Sequence, residues 1–368
     1  MTGHTLILST CGTSLLTNGR SDQDRQLINR YSNERKPEAL PADVRTRLDT
    51  IINDVRDTAL KATPGEIVRM SAELHALVRW YNHQPFPARD VHVLLCTDTW
   101  LGERAAQIVE AYLRRQGCQQ VIPYRQKDLQ TADLSSFQLA LSEIVKWLEE
   151  LLSDYQHCGY RIVFNLTGGF KSVQGFLQAL APFYADEVIY IFESQQALLR
   201  IPRLPVRLVA TETVREHLHT IRRLSLGLPV AETEPGKLPE TLLMRVNGDV
   251  ALSPWGEVIW GQERKTVYGE KLLPSPDERL VFGPQFERSV RDLPPDRLAL
   301  VNERIDDLAR YLVAGHNRKA LDVKPLQGNP RPPSTHECDA WSDRDARRIF
   351  VHYEGAKLVL DALDRGLH

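Results

Sequence analysis

Apolar residues fall along this chain in two alternating textures. Short uninterrupted runs at Thr5–Ser9, 91–96 (VHVLLC), 161–166 (RIVFNL) and 187–192 (EVIYIF) lack polar alternation, and 119–124 (QQVIPY) is a weaker run of the same kind. Such runs predict strands buried on both faces. Longer segments at 41–62, 66–82, 101–115 and 134–152 read as helices. In the last, Phe137, Leu141, Ile144, Leu148 and Leu151 recur at three- and four-residue steps, the spacing of one buried helical face. A further helix opens at Lys171. Strands separated by helices predict a parallel sheet covered on both sides, a Rossmann-like α/β domain over residues 1–210.

After a helix at about 210–226 the pattern changes. The proline-rich stretch 227–240 reads as a linker, 241–260 as a compact unit with a hairpin turn at Asn247-Gly248, and 241–265 as a small winged-helix or spacer unit. A second proline-containing joint, 272–278, precedes a strand-like RLVF (279–282) and a helix pair at 284–293 and 295–313. Leu298, Val301, Ile305, Leu308 and Leu312 form the apolar stripe of the second helix. Strands are expected around 335–341, 347–353 and 357–363. The chain is thus read as a sensor-like domain (1–210), a helical connector (211–275) and a small α+β domain (276–368).

Composition narrows the function classes. The chain has 368 residues, 42% hydrophobic and 26% charged, with a formal net charge of -2. That is ordinary for a soluble globular protein and provides no global field for nucleic acid or membrane. Any phosphate recognition has to be local. The five cysteines, Cys11, Cys96, Cys118, Cys158 and Cys338, are scattered and form no C-x-x-C pair, which predicts buried thiols of a cytoplasmic protein and no metal site. No apolar run approaches the length of a membrane span.

Candidate chemistry gathers first in three loops that leave the carboxyl ends of predicted strands, where open α/β sheets bind ligands. They are STCGTSLLTN (9–18), CTDTWLGE (96–103) and NLTGGFKS (165–172). All offer hydroxyls and glycines, and the third adds Lys171 at a helix start, where free N–H groups attract anions. Neither G-x-x-x-x-G-K-[ST] nor G-x-G-x-x-G is present, so ATP held in the usual way and NAD are excluded. In this order the three motifs resemble the CARF domains of CRISPR-associated proteins. The resemblance implies a dimeric sensor that binds a cyclic oligoadenylate across a two-fold axis, with the tetra-adenylate favoured. It further implies that Thr10, Gly12, Thr13, Ser14, Asn18, Thr97, Asp98, Thr167, Gly168, Gly169, Lys171 and Ser172 line the pocket, with Lys171 neutralising phosphate. Asp98 has two other readings, a bond to adenine or ribose and a cap on the next helix.

The C-terminal stretch 336–368 places Arg347-Arg348 at the start of an apolar strand after W-S-D-R. Together with KPLQGN (324–329) it resembles the end of RelE/YoeB-type toxins. That resemblance implies cofactor- and metal-independent cleavage of mRNA on the ribosome. The 2′-hydroxyl attacks the adjacent phosphate, so one proton is taken up, one is given to the leaving 5′-oxygen, and phosphoryl charge is stabilised. Arg348 would contact the phosphate, with Arg347 and Arg344 supporting, Lys324 in an open role, and His336 and His368 as proton-transfer candidates. The bland counterpart for Arg347, Arg344 and Lys324 is solvated surface charge. His352 reads as structural. Joined to the sensor, the expectation is a messenger-activated antiviral ribonuclease. A ligand-controlled transcription regulator and a ring nuclease that degrades its own messenger are the alternatives.

Overall fold

A computed structural model of the chain describes residues 4–130, 133–192, 196–205, 210–231, 234–246, 248–315, 317, 320–328 and 330–366. It divides into two compact units, Met1–Arg207 and Leu208–His368.

Among the described residues of the first unit six strands form one sheet: β1 (Thr5–Cys11), β2 (Val91–Cys96), β3 (Gln120–Arg125), β4 (Arg161–Asn165), β5 (Glu187–Phe192) and β6 (Ala197–Pro202). Their order is β3-β2-β1-β4-β5-β6. The first five are parallel, and β6 runs antiparallel to β5. Every residue of β1 and β2 is buried, as their unbroken apolar runs require. The strand β6 escapes the sequence pattern because, as a largely exposed edge strand, it has no apolar run.

Among the described residues, eight α-helices accompany this sheet: α1 (Ser14–Thr17), α2 (Asp22–Arg30), α3 (Ala42–Lys61), α4 (Pro64–Met70), α5 (Ala72–Trp80), α6 (Trp100–Arg115), α7 (Leu134–His157) and α8 (Lys171–Tyr184). The single helix expected at 66–82 is two, α4 and α5. Ser71 breaks it with extended backbone (φ -131°), and its hydroxyl accepts the Leu74 N–H to start α5. The strand order reverses between β1 and β4. Branching the crossovers to opposite sides there opens a crevice at the strands' carboxyl ends.

The second unit begins with α9 (Thr211–Glu216) and α10 (Leu218–Ser225), a hairpin of β7 (Leu243–Val246) and β8 (Asp249–Leu252), and α11 (Pro254–Glu270). Asn247 of the expected hairpin turn lies outside the described residues. Next come β9 (Leu280–Phe282), α12 (Pro284–Val290), α13 (Pro295–Ala314), β10 (Lys324–Pro325), β11 (His336–Trp341), β12 (Arg347–Glu354) and β13 (Lys357–Arg365). Their sheet has the order β10-β11-β12-β13-β9, antiparallel except where β9 joins β13. One face, with Cys338, Ile349, Val351, Leu358 and Leu360, packs with α12 and α13 into one apolar core.

The expected break at residue 275 is corrected: connector and C-terminal segment form one unit. Arg222 of α10 is buried and donates to Asp306 of α13 at 2.7 Å and to the Pro274 carbonyl at 2.6 Å, while the Tyr268 hydroxyl of α11 donates to the same carboxylate. Asn302 of α13 donates to the carbonyls of Tyr268 (2.8 Å) and Lys271 (2.9 Å) and accepts from Leu273 N. Separating the segments would expose this buried ion pair and break its hydrogen bonds. The physics favours one body.

Candidate functional site

The crevice of the first unit is built by two of the three expected loops. Ser9 of β1 stands beside Asn165 of β4 in the parallel ladder. The fully buried Asn165 amide donates to Ser9 Oγ at 3.1 Å and to the Glu73 carbonyl at 3.0 Å, and its Oδ1 accepts from Thr167 N at 3.4 Å. Across the crevice, Thr10 Oγ1 donates to the Gly168 carbonyl, which also accepts from Gln174 of α8 at 2.7 Å.

The glycines are required by this closeness. A Cβ on Gly12 would stand 2.9 Å from Gly169 Cα. Gly169 itself has φ +93°, a left-handed conformation that favours glycine. A side chain on Gly168 would run into the Glu73 carboxyl group.

That carboxyl is the part sequence reasoning missed. Glu73 is fully buried in the first turn of α5. Its Oε1 accepts from Gly12 N at 2.8 Å, and its Oε2 accepts from Ser71 Oγ at 2.7 Å and Ser14 Oγ at 3.5 Å. Burial raises its pKa against the opposing pull of those donors. The available signal was an acid two residues after a helix-capping serine, but nothing in the spacing links position 73 to 12 or 168.

The start of α8 is left open to an anion. Its N-cap, Phe170, makes no side-chain cap bond, and no acid occupies its first turn. Lys171 and Ser172 are exposed, and among the described residues Lys171 forms no ion pair. The Thr167 hydroxyl is buried with no hydrogen-bond partner among the described residues. Thr13 and Ser14 are half-buried beside this edge, whereas Asn18 is exposed and donates to the Met70 carbonyl at 3.1 Å. A rigid glycine turn, unused helix N–H groups, hydroxyls and one cation together can hold a phosphate or phosphodiester.

The second loop takes another role, and the placement of Asp98 as a ligand contact is corrected. Its carboxylate accepts from Arg125 Nε at 2.9 Å and Asp128 N at 3.0 Å and lies 3.4 Å from Arg35 Nε. Two guanidiniums saturate it, which explains an acid at this position without a ligand. Thr97 and Thr99 share a hydrogen bond of 2.9 Å, and Thr99 caps α6 through Gly102 N. Those hydroxyls serve a helix start.

In the second unit, register divides the candidates between two sheet faces. Arg348 stands opposite Asp339 on β11 and Asp364 on β13 and forms an ion pair with Asp339. Lys324 lies on this face too, 2.9 Å from Asp322 and 3.9 Å from the buried Glu337; the Asp322 hydrogen bond raises its pKa. Arg331 covers the Phe350 ring at 4.3 Å and pairs with Asp364 at 2.9 Å.

His336, the proton-transfer candidate, and Arg348 fall on opposite faces of the sheet. The histidine stands opposite Val351 and meets the Tyr353 ring at 5.3 Å, on the face that packs beneath the helices. The imidazole sharing Arg348's face is His352, whose Nδ1 lies 2.8 Å from Asp361 and Nε2 3.1 Å from Glu354. Burial pulls its pKa down, but those two carboxylates outweigh it and the net shift is upward. Arg347 pairs with Asp345 at 3.3 Å, and Arg344 is exposed. His368 lies outside the described residues.

Four of the five cysteines are buried, and Cys158 is exposed. Among the described residues no cluster of three His, Cys, Asp or Glu could hold a metal, and no helix is long and apolar enough to cross a membrane.

Residues 68–204 match the family model of the CRISPR-associated protein (Cas_APE2256). The match contains Glu73 and the Asn165–Ser172 loop, while loop 9–18 and residues 205–368 lie outside it. No curated protein matches the chain. Among solved structures, it is similar to Enterococcus italicus Csm6 bound to cyclic hexa-2'-fluoro-hexa-dAMP, at 11% identity and a TM-score of 0.29 over 86% of this chain. It is also similar to Can2 from Sulfobacillus thermosulfidooxidans in complex with cyclic tetra-adenylate, at 9% identity and a TM-score of 0.25 over 96% of this chain. The chain spans 56% of the Csm6 chain and 78% of the Can2 chain.

Proposed function

We propose that the chain is a CRISPR-associated sensor in which the first unit binds a cyclic oligoadenylate and the second cleaves RNA in response. One observation carries the sensor reading: the anion-ready start of α8, with Lys171 unpaired among the described residues, sits at the β1–β4 switch point inside a segment that matches a CRISPR-associated family. A cyclic oligoadenylate presents phosphodiesters, ribose hydroxyls and adenines. Lys171 and the α8 amides suit the phosphate, and Thr13, Ser14 and Ser172 suit the ribose. One crevice per chain and a two-fold dimer would match the symmetry of a tetra-adenylate ring.

The output is a RelE-type cleavage of mRNA on the ribosome. Support comes from the order strand, two helices, four strands in residues 280–365, the first of the four only two residues long, and from Arg348 and Lys324 sharing one sheet face. The RNA 2′-oxygen bonds to phosphorus and the P–O5′ bond breaks. Water takes up the 2′-proton and returns one to the leaving 5′-oxygen, so that the products are a 2′,3′-cyclic phosphate and a 5′-hydroxyl. Arg348 and Lys324 stabilise the phosphoryl charge. The ligand activates only as far as it binds the active arrangement more tightly than the resting one.

The test is a calorimetric titration of the full chain with cyclic tetra- and hexa-adenylate, followed by mapping of mRNA 5′ ends in a translating extract. Lys171→Ala is expected to lose binding. Arg348→Ala is expected to bind normally and cut nothing. Failure of both rings to bind removes the sensor reading; binding without cleavage at ribosome-occupied codons removes the output reading.

A further inference from the structure

We infer that Glu73 is the positioning residue of the ligand crevice, holding the Gly12–Ser14 turn against Gly168 and reserving anion recognition for the Lys171 side. The inference rests on the sensor reading above. Its observations are the contacts of one fully buried side chain. Glu73 Oε1 takes the Gly12 amide at 2.8 Å, and Oε2 is within 3.5 Å of Ser14 Oγ. The same carboxyl lies so close to Gly168 that no side chain fits there, and the Glu73 carbonyl accepts from Asn165 at 3.0 Å. A single residue therefore touches both loops of the crevice from below.

Two physical consequences follow. First, the Gly12 amide lies at the strand-to-helix turn where such sheets commonly present N–H groups to phosphate, yet here a tethered carboxylate already occupies it. Phosphate recognition is left to the α8 start and Lys171, and the first loop offers Thr13 and Ser14 to the ribose or base. Second, no cation pairs with Glu73 among the described residues. The carboxyl is held by the Gly12 and Glu73 amides, two hydroxyls and the first turn of α5. Its hold on the loops therefore depends on where its oxygens sit. A glutamine, with an oxygen for Gly12 N and an amide for a serine oxygen, should preserve it.

The experiment uses the full chain and two readouts, one of which needs no ligand. Amide hydrogen exchange is measured over 9–18 and 165–172 in unliganded wild type, Glu73→Gln and Glu73→Ala, and each is titrated with cyclic tetra-adenylate. Glu73→Ala is expected to speed exchange in both loops by about tenfold or more, with β2 and β3 unchanged, and to weaken binding by a similar factor. Glu73→Gln is expected to stay within about threefold of wild type on both. If Glu73→Ala does not fold, Glu73→Asp, which withdraws the oxygens by one methylene, is expected to reproduce the exchange change. Unaltered exchange in either loop for Glu73→Ala or its replacement overturns the inference, as does Glu73→Gln falling as far as Glu73→Ala. Should wild type bind no cyclic adenylate while both loops loosen in Glu73→Ala, the positioning role stands and the sensor reading falls.

Discussion

Lys171 in the first unit and Arg348 in the second are the leading cations assigned to phosphate, and their surroundings differ. Lys171 is exposed, carries no ion pair among the described residues, and stands at a helix start with no acid in its first turn. Glu73, below the same loops, is turned onto amides and hydroxyls. On the sheet face of the second unit each cation has an acid: Arg348 with Asp339, Lys324 with Asp322, Arg331 with Asp364. An anion entering the first site displaces water. One entering the second must also displace a carboxylate. The side chains of Arg348 and Asp339 are each only 22% exposed, so that exchange is opposed more strongly than at an open surface pair. On the proposed function, the first site is ready for its ligand, whereas the second resists free RNA until something positions the substrate.

The strongest way to break the contrast is to reverse the unpaired charge. Lys171→Glu places an acid at the anion site, and the affinity for cyclic tetra-adenylate is expected to fall about 100-fold, the value of a charge-assisted contact. Calorimetry measures it. Next in size is Gly168→Ala, whose methyl group meets Glu73. A cost of about 1–3 kcal/mol is expected from overpacking, read by denaturant unfolding and confined to the first unit. In the second unit, Asp339→Asn removes the acid that holds Arg348. It should tighten binding of a short uncleaved RNA by about threefold to tenfold and steepen its salt dependence, measured by fluorescence anisotropy. An unchanged affinity would mean that Arg348 is not held back by Asp339.

The same contrast accounts for what could be read in the sequence. The central strands β1, β2 and β4 were legible because burial on both faces leaves unbroken apolar runs, whereas the edge strand β3, mostly open to solvent, left only a weak one. The third loop was legible because glycines and a lysine at a strand-to-helix turn have few other uses. The second loop shows the limit of that reasoning: Thr97, Asp98 and Thr99 have the composition of a ligand loop, but in the fold they cap α6 and bind Arg35 and Arg125. Hydroxyls and acids serve caps and ligands equally, and only tertiary contacts tell them apart. Glu73 was illegible because its partners lie 61 residues upstream at Gly12 and on the far loop at Gly168. That His336 and Arg348 fall on opposite faces was not legible, because strand alternation within one segment does not say which residue of the neighbouring strand it meets, and that register, His336 opposite Val351, is set by the fold.

The smallest expected effect tests the contrast by pH, because the two sites carry carboxyls shifted in opposite directions. Burial raises the Glu73 pKa above the ordinary carboxyl value of 4.5. The folded state then keeps that proton longer than the unfolded chain does. Its contribution to stability is complete below pH 4.5 and is lost as pH rises through the folded value. Asp364 is lowered from 3.8, first by the Arg365 amide and then by Arg331. Its contribution is present above pH 3.8 and is lost as pH falls through the folded value. Each neutral variant removes one of these slopes. As pH rises above 4.5, Glu73→Gln is therefore expected to gain stability relative to wild type. As pH rises towards 3.8 from below, Asp364→Asn is expected to lose stability relative to wild type. Urea unfolding of the full chain, followed by a probe in each unit, measures both slopes. Parallel slopes would mean that Glu73 is held as an ordinary paired carboxylate, and the difference between the two sites would reduce to exposure alone.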